Sequence, residues 1–223
     1  MMLIEYPDRE MMMFALADRL AGDLGQALRQ NDRASLCLPG GTTPGPVFDV
    51  LSGVSLDWDR VTVFLNDERW VPETSERSNG RLVRQRLLVG RAATAQFVPL
   101  YRDTPEPEAA LAAITADLAP HLPISVLLLG MGADMHTASL FPGADRLAEA
   151  LAPDAPVLLA MRAPGAAEPR VTLSAPVLVD AMCCHILITG ADKRAALERA
   201  QGLDPAEAPV RAVLNNATVH WAP

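Results

Sequence analysis

The apolar runs ASLCL (34–38), VTVFL (61–65), ISVLLLG (124–130) and CCHILITG (183–190) are hydrophobic nearly end to end, not at alternate positions. A strand with one face in water alternates; a strand apolar throughout is covered on both faces, the signature of a parallel sheet between helices. The segments between these runs have helical spacing. Residues 9–30 place Met12, Met13, Leu16, Leu20, Leu24 and Leu28 on one stripe, and the Met11–Met13 run reads as core face. Further helices are expected at GPVFDVLSG, ending at Gly53, at SNGRLVRQRLLV with Ser78 or Asn79 as cap, at PEPEAALAAITADLAPHL, at SAPVLVDAM and at DKRAALERA. QFVPL, PVLLAMR and TVHWAP complete the strands, and NDERWVP reads as a polar loop. The predicted fold is α/β: a three-layer sandwich with a mainly parallel, Rossmann-like sheet covered by helices on both faces. Segments 102–110, 152–156 and 163–169 read as surface loops; with no linker among them, residues 1–223 are expected to form one domain.

Hydrophobic residues make up 50% of the chain and aromatic ones 4%, so aliphatic side chains must fill the core. The net charge of −8 argues against a general nucleic-acid binder, which needs a basic face. Cys37, Cys183 and Cys184 lie in apolar runs without metal-ligand spacing and read as buried strand thiols. His185, beside the pair, reads as a strand residue. The N-terminal segment is amphipathic rather than a leader, and no run is long enough to span a membrane, so a cytoplasmic protein is expected.

In sheets of this kind, ligands bind outside the carboxyl ends of the strands. Four strand ends carry glycines or polar groups: Gly40-Gly41-Thr42-Thr43-Pro44, Asn66-Asp67-Glu68-Arg69, Gly130 to His136, and Gly190 with Lys193. The Gly-Gly-Thr-Thr turn reads either as an anion cradle of exposed amides or as an ordinary strand-to-helix turn, with Thr43 a candidate helix cap. No lysine follows at Walker spacing. GMGADMH has methionine where a dinucleotide fingerprint needs glycine. His136 suits acid–base work near neutral pH, with Asp134 or Asp67 to orient it. The competing reading is a capping Asp and a surface His. No histidine stands at metal-ligand spacing from His136. Ser139 lacks a nucleophile elbow, which favours water as the nucleophile.

Together, LPGGTTP, FLNDERWVP followed by SN, LLLGMGADMHTASLFPG, RVTLSAPVLVDA, ITGADK, PVRAVL and VHWAP cover nearly the whole chain. In this order the chain resembles the 6-phosphogluconolactonases, within the wider group of glucosamine-6-phosphate deaminase-like proteins. The resemblance implies hydrolysis of 6-phospho-D-glucono-1,5-lactone in the oxidative pentose phosphate pathway, with no metal or organic cofactor. It carries the phosphate loop onto Gly40, Gly41 and Thr42, with Thr43 beside them, and the phosphate-side lysine onto Lys193. The catalytic histidine falls on His136, its acidic partners on Asp67 and Asp134, and the active-site arginines on Arg69 and Arg170. The implied partner is a small sugar-phosphate lactone, with no nucleic acid or membrane, bound by a monomer or weak homo-oligomer.

Two departures stand out. Met135 replaces a usual glycine, and a positive φ there would cost about 1 kcal/mol. Pro39 replaces a serine before the glycine pair and removes an amide donor. Two alternatives accompany this reading. One is a hexosamine-phosphate deaminase or isomerase using Asp67 as a base on carbon, which DERWVP and SLFPG disfavour. The other is a non-catalytic sugar-phosphate-binding module.

Overall fold

A computed structural model describes residues 1–164 and 166–223; Gly165, within the predicted 163–169 loop, lies outside the described residues. The elements run β1 (Met2–Glu5), α1 (Arg9–Gln30), β2 (Ala34–Leu38), α2 (Gly45–Ser52), β3 (Val61–Leu65), β4 (Asp67–Arg69), α3 (Asn79–Arg86), β5 (Gln96–Val98) and α4 (Leu111–Leu118). They continue through β6 (Val126–Gly130), α5 (Leu147–Leu151), β7 (Leu158–Met161), β8 (Arg170–Leu173), α6 (Ala175–Val179), β9 (Cys183–Thr189), α7 (Ala191–Ala200), α8 (Arg211–Leu214) and β10 (Ala217–Ala222).

Seven strands form one sheet in the order β1-β10-β9-β6-β2-β3-β5. Every pairing in it is parallel. All five residues of β2 and of β3 are buried, as continuous apolar runs require when helices lie on both faces. The α/β expectation holds. From β2 the chain winds outward through β3 to β5; it then returns to β6 and winds the other way through β9 and β10. The β2–β6 junction is therefore the switch point, where the loops leaving two neighbouring strands part and leave a crevice.

Helix α1 follows its predicted stripe. Asp8 caps it by accepting from the Met11 amide at 2.8 Å, and Met12, Leu16, Leu20 and Leu24 are fully buried. Each such side chain stabilises the fold by about 1.5–3 kcal/mol. Met11 is 55% exposed, so the methionine run is core only in part: residues one apart on a helix cannot all face inward. Cys37 and Cys184 are buried, while Cys183 at the start of β9 is only half-buried, a correction to the reading of three buried thiols.

The sequence reading missed a second sheet. β4, β8 and β7 pair antiparallel in the order β4-β8-β7, with Asp67 opposite Thr172 and Arg69 opposite Arg170. NDERWVP is therefore partly a strand. Asn66 joins the two sheets. Its amide donates to Leu38 O and its carbonyl accepts from the Leu173 amide, both at 2.9 Å, while its Nδ2 donates to Leu128 O at 3.0 Å.

One polar chain crosses the core. Asp23 on α1 meets His185 Nε2 at 2.8 Å, His185 Nδ1 meets His220 Nε2 at 3.1 Å, and His220 Nδ1 meets the Tyr6 hydroxyl at 2.8 Å. A carboxylate only accepts, so every proton along the chain points toward Asp23, and both imidazoles are neutral Nε2–H tautomers. Burial pushes both histidine pKa values down, that of His220 to about 3. His185 is a strand residue, as its sequence context suggested.

Candidate active site

The four strand ends named from the sequence meet at the β2–β6 switch point, around a cavity of about 220 Å³. After β2, Gly41 has φ 84, a conformation that favours glycine. Gly40 is fixed by space: a Cβ there would sit 2.0 Å from Asn79 Oδ1. Pro44 occupies the cap position of α2 and no side chain caps that helix, so Thr43 does not take the capping role expected of it. Thr43 lines the cavity, whereas Thr42 is exposed and faces a neighbouring groove beside α1.

From the end of β3, Asp67 and Arg69 project into the same space. Asp67 is 6% exposed. It accepts from the Ser139 hydroxyl at 2.5 Å and lies 3.6 Å from an Arg170 nitrogen. Burial lowers the Arg170 pKa, and Asp67 acts in the opposite direction. Both arginines line the cavity, and among the described residues their buried Nε atoms find no hydrogen-bond partner.

The loop after β6 carries the imidazole. Gly132 lets it close on itself: a Cβ there would sit 2.2 Å from His136 Nδ1 and 2.4 Å from Asp134 Oδ1. The Gly132 amide donates to His136 O at 3.0 Å and the Thr137 hydroxyl to Gly130 O at 2.8 Å. Met135, between Asp134 and His136, has φ 67. This is the left-handed conformation considered from the sequence, with a strain of about 1 kcal/mol for a side chain other than glycine. The Met135 carbonyl accepts from the Val210 amide at 3.0 Å, which ties the strained residue to the chain before α8.

His136 Nδ1 lies 2.5 Å from Asp134 Oδ1, and its ring packs 4.3 Å from Phe141. Asp134 does not itself line the cavity; it orients the ring from behind. Asp67, the other candidate for that task, engages Ser139 and Arg170 instead. Lys193, on the first turn of α7, lines the cavity, and partial burial lowers its pKa while Asp134 raises it. Among the described residues, no group of three or more His, Cys, Asp and Glu side chains could hold a metal ion, and no helix is long and apolar enough to cross a membrane.

Around one small cavity stand a glycine turn, the cationic side chains of Arg69, Arg170 and Lys193, and an imidazole paired with a carboxylate, a set whose charge suits an anionic ligand. The chain matches the family of glucosamine-6-phosphate isomerases/6-phosphogluconolactonase over residues 7–221. It belongs to that family. A 6-phosphogluconolactonase of Rhizobium meliloti is 46% identical over 94% of this chain and 93% of its own length. One of Pseudomonas aeruginosa is 43% identical over 93% of this chain and 89% of its own. The crystal structure of a 6-phosphogluconolactonase from Shewanella baltica superposes with a TM-score of 0.96 at 32% identity, covering 100% of this chain and 97% of that one.

The structure gathers the predicted Gly40, Gly41, Thr43, Asp67, Arg69, His136, Arg170 and Lys193 around the cavity and leaves Thr42 and Asp134 outside its lining. Sequence reasoning missed Asn79 as a cavity residue, Ser139 as the partner of Asp67 and Phe141 as the support of His136. In sequence Asn79 reads as a helix cap and Ser139 as a nucleophile to be set aside, and both otherwise belong only to the stretches that carry the family resemblance. Their present roles follow from contacts 12 and 72 residues apart in the chain, which local spacing does not reveal.

Proposed function

We propose that this chain hydrolyses 6-phospho-D-glucono-1,5-lactone to 6-phospho-D-gluconate, the lactone-opening step of the oxidative pentose phosphate pathway. The observation that carries the reading is the Asp134–His136 pair, 2.5 Å apart, with its imidazole in the same cavity as the Gly40–Gly41 turn and Lys193. Asp134 as a carboxylate accepts only, so the His136 proton sits on Nδ1 and Nε2 keeps its lone pair. A neutral imidazole so arranged can accept a proton at Nε2.

The phosphate of the substrate docks on the amides of Gly40 and Gly41, the Thr43 hydroxyl, Lys193 and Arg69. His136 Nε2 takes a proton from water as the water oxygen bonds to the lactone carbonyl carbon. The carbonyl π electrons move onto its oxygen, and Arg170, held by Asp67, meets the developing charge. When the carbonyl re-forms, the bond to the ring oxygen breaks, and the imidazolium returns its proton to that oxygen. The carboxylic acid product then ionises. A general base of this kind accelerates reaction by about 10²–10⁴-fold, which suits an ester that also opens unaided.

The test offers the protein freshly made lactone, corrected for spontaneous opening, and in parallel glucosamine 6-phosphate with ammonia as the readout. Lactone turnover without ammonia is expected. Ammonia release without lactone turnover overturns the proposal in favour of a deaminase. Stabilisation by sugar phosphate with no turnover of either overturns it in favour of a binding module.

A further inference from the structure

Glu68 does not line the cavity, is 1% exposed and takes no part in the mechanism above. Its carboxylate nevertheless accepts four hydrogen bonds. Oε1 takes the amides of Arg69 at 2.8 Å and Asn79 at 2.9 Å; Oε2 takes the Gly80 amide at 2.7 Å and the Ser78 hydroxyl at 3.1 Å. Three of these donors form the N-terminus of α3, where unpaired amides and the helix dipole favour an anion. Glu68 thus pins α3 to β4.

What it pins bears on the site. Asn79, the first residue of α3, is 3% exposed and lines the cavity. Its Nδ2 donates to Asp67 O at 3.1 Å and its Oδ1 accepts from Arg69 at 3.3 Å. Its amide group also fills the space that a Cβ on Gly40 would need, so the turn after β2 rests on it. One side chain therefore touches the glycine turn, the Asp67 backbone and the Arg69 guanidinium, and Glu68 holds the backbone on which that side chain stands.

We propose that Glu68 is a positioning residue for anion binding, which acts through Asn79 to set the distance between the Gly40–Gly41 turn and Arg69. Burial pushes its pKa up to about 7, against the pull of the Asn79, Gly80 and Arg69 amides. The proposal rests on the reading of the Gly40–Gly41 turn as the phosphate cradle.

The test compares wild type, Glu68→Gln, Asn79→Ala and the double variant. Each is assayed for KM and kcat on the lactone and, independently of turnover, for the affinity of inorganic phosphate by NMR titration. Glutamine keeps the shape, but it accepts at one oxygen and turns an N–H toward donors. Glu68→Gln is expected to raise KM and weaken phosphate binding by about tenfold each, with kcat within about threefold of wild type. The double variant should be no worse than the worse single variant, because both act through one element. Unchanged KM and phosphate affinity in Glu68→Gln, a loss confined to kcat, or additive effects in the double variant would each overturn the inference. If Glu68→Gln does not fold, Ser78→Ala removes one of the four donors, and a rise in KM of about threefold is expected, with unchanged KM overturning the inference. Failure of wild type itself to bind phosphate overturns the cradle reading instead.

Discussion

Among the described residues, two aspartate–histidine pairs have nearly equal length and opposite character. Asp134 and His136 are 2.5 Å apart at the mouth of a cavity, with side chains 55% and 30% exposed. Asp23 and His185 are 2.8 Å apart in the core, at 9% and 3%. The buried pair has every ring nitrogen engaged, since His185 Nδ1 is taken by His220. Among the described residues, the pair at the mouth leaves Nε2 without a partner. A histidine works on a substrate when one nitrogen is fixed and the other is not; with both fixed, it becomes a cross-link between elements. The residue types are the same, and the number of hydrogen-bond partners decides the role.

The comparison breaks most readily at Asp134. Asp134→Ala removes the group that sets the tautomer and angle of the ring, so kcat on the lactone is expected to fall about 100-fold. The urea midpoint should not move, since the pair lies at the surface. The mirror experiment is Asp23→Ala, which leaves the His185 Nε2–H buried without an acceptor. It should lower the unfolding free energy by about 2 kcal/mol, measured by urea denaturation, while folded enzyme keeps wild-type kcat. If both variants lose kcat alone, the two pairs do not differ as described.

Acid sharpens the contrast. The folded chain keeps His220 neutral down to about pH 3, whereas the unfolded chain protonates it near its ordinary value of 6.5. Between those pH values the unfolded state binds the extra proton, so this group's contribution to stability is lost as pH falls, by about 1.4 kcal/mol per unit at most. Glu68 acts in the opposite sense: its raised pKa of about 7 makes its contribution decline as pH rises from 4.5. The informative quantity is therefore the difference in slope between wild type and His220→Gln, measured by urea denaturation from pH 4 to 7. The variant is expected to show the shallower loss toward acid; equal slopes would remove the titration from the buried chain.

Met135 yields the smallest expected effect. Met135→Gly relieves about 1 kcal/mol of strain but frees the unfolded chain by about 0.5–1 kcal/mol. Stability should stay within about 1 kcal/mol of wild type and kcat within about threefold. A larger fall in kcat would mean that the packed side chain, rather than the Asp134 contact, aims His136.

The central strands were legible because burial on both faces writes itself locally as continuous apolar runs, and the strand ends then pointed to the crevice. β4 and β8 were not legible. DER is short and charged, and it becomes a strand only by pairing with residues about a hundred positions away. Thr43 looked like a cap because capping statistics are local, yet Pro44 and Pro46 start α2 without it. The two histidine–aspartate pairs fall on opposite sides of the same limit. Asp134 and His136 are near neighbours in sequence and could be guessed. Asp23 and His185 are 162 residues apart, and only the packing of α1 against the sheet joins them.

Replacement of His136 probes the account at its centre. Its Ala variant should be assayed on freshly made lactone, beside a phosphate titration of the same sample. A fall in kcat of at least about 100-fold with phosphate affinity within about twofold of wild type is the predicted result. Wild-type kcat in that variant would contradict the assignment of His136 as the base.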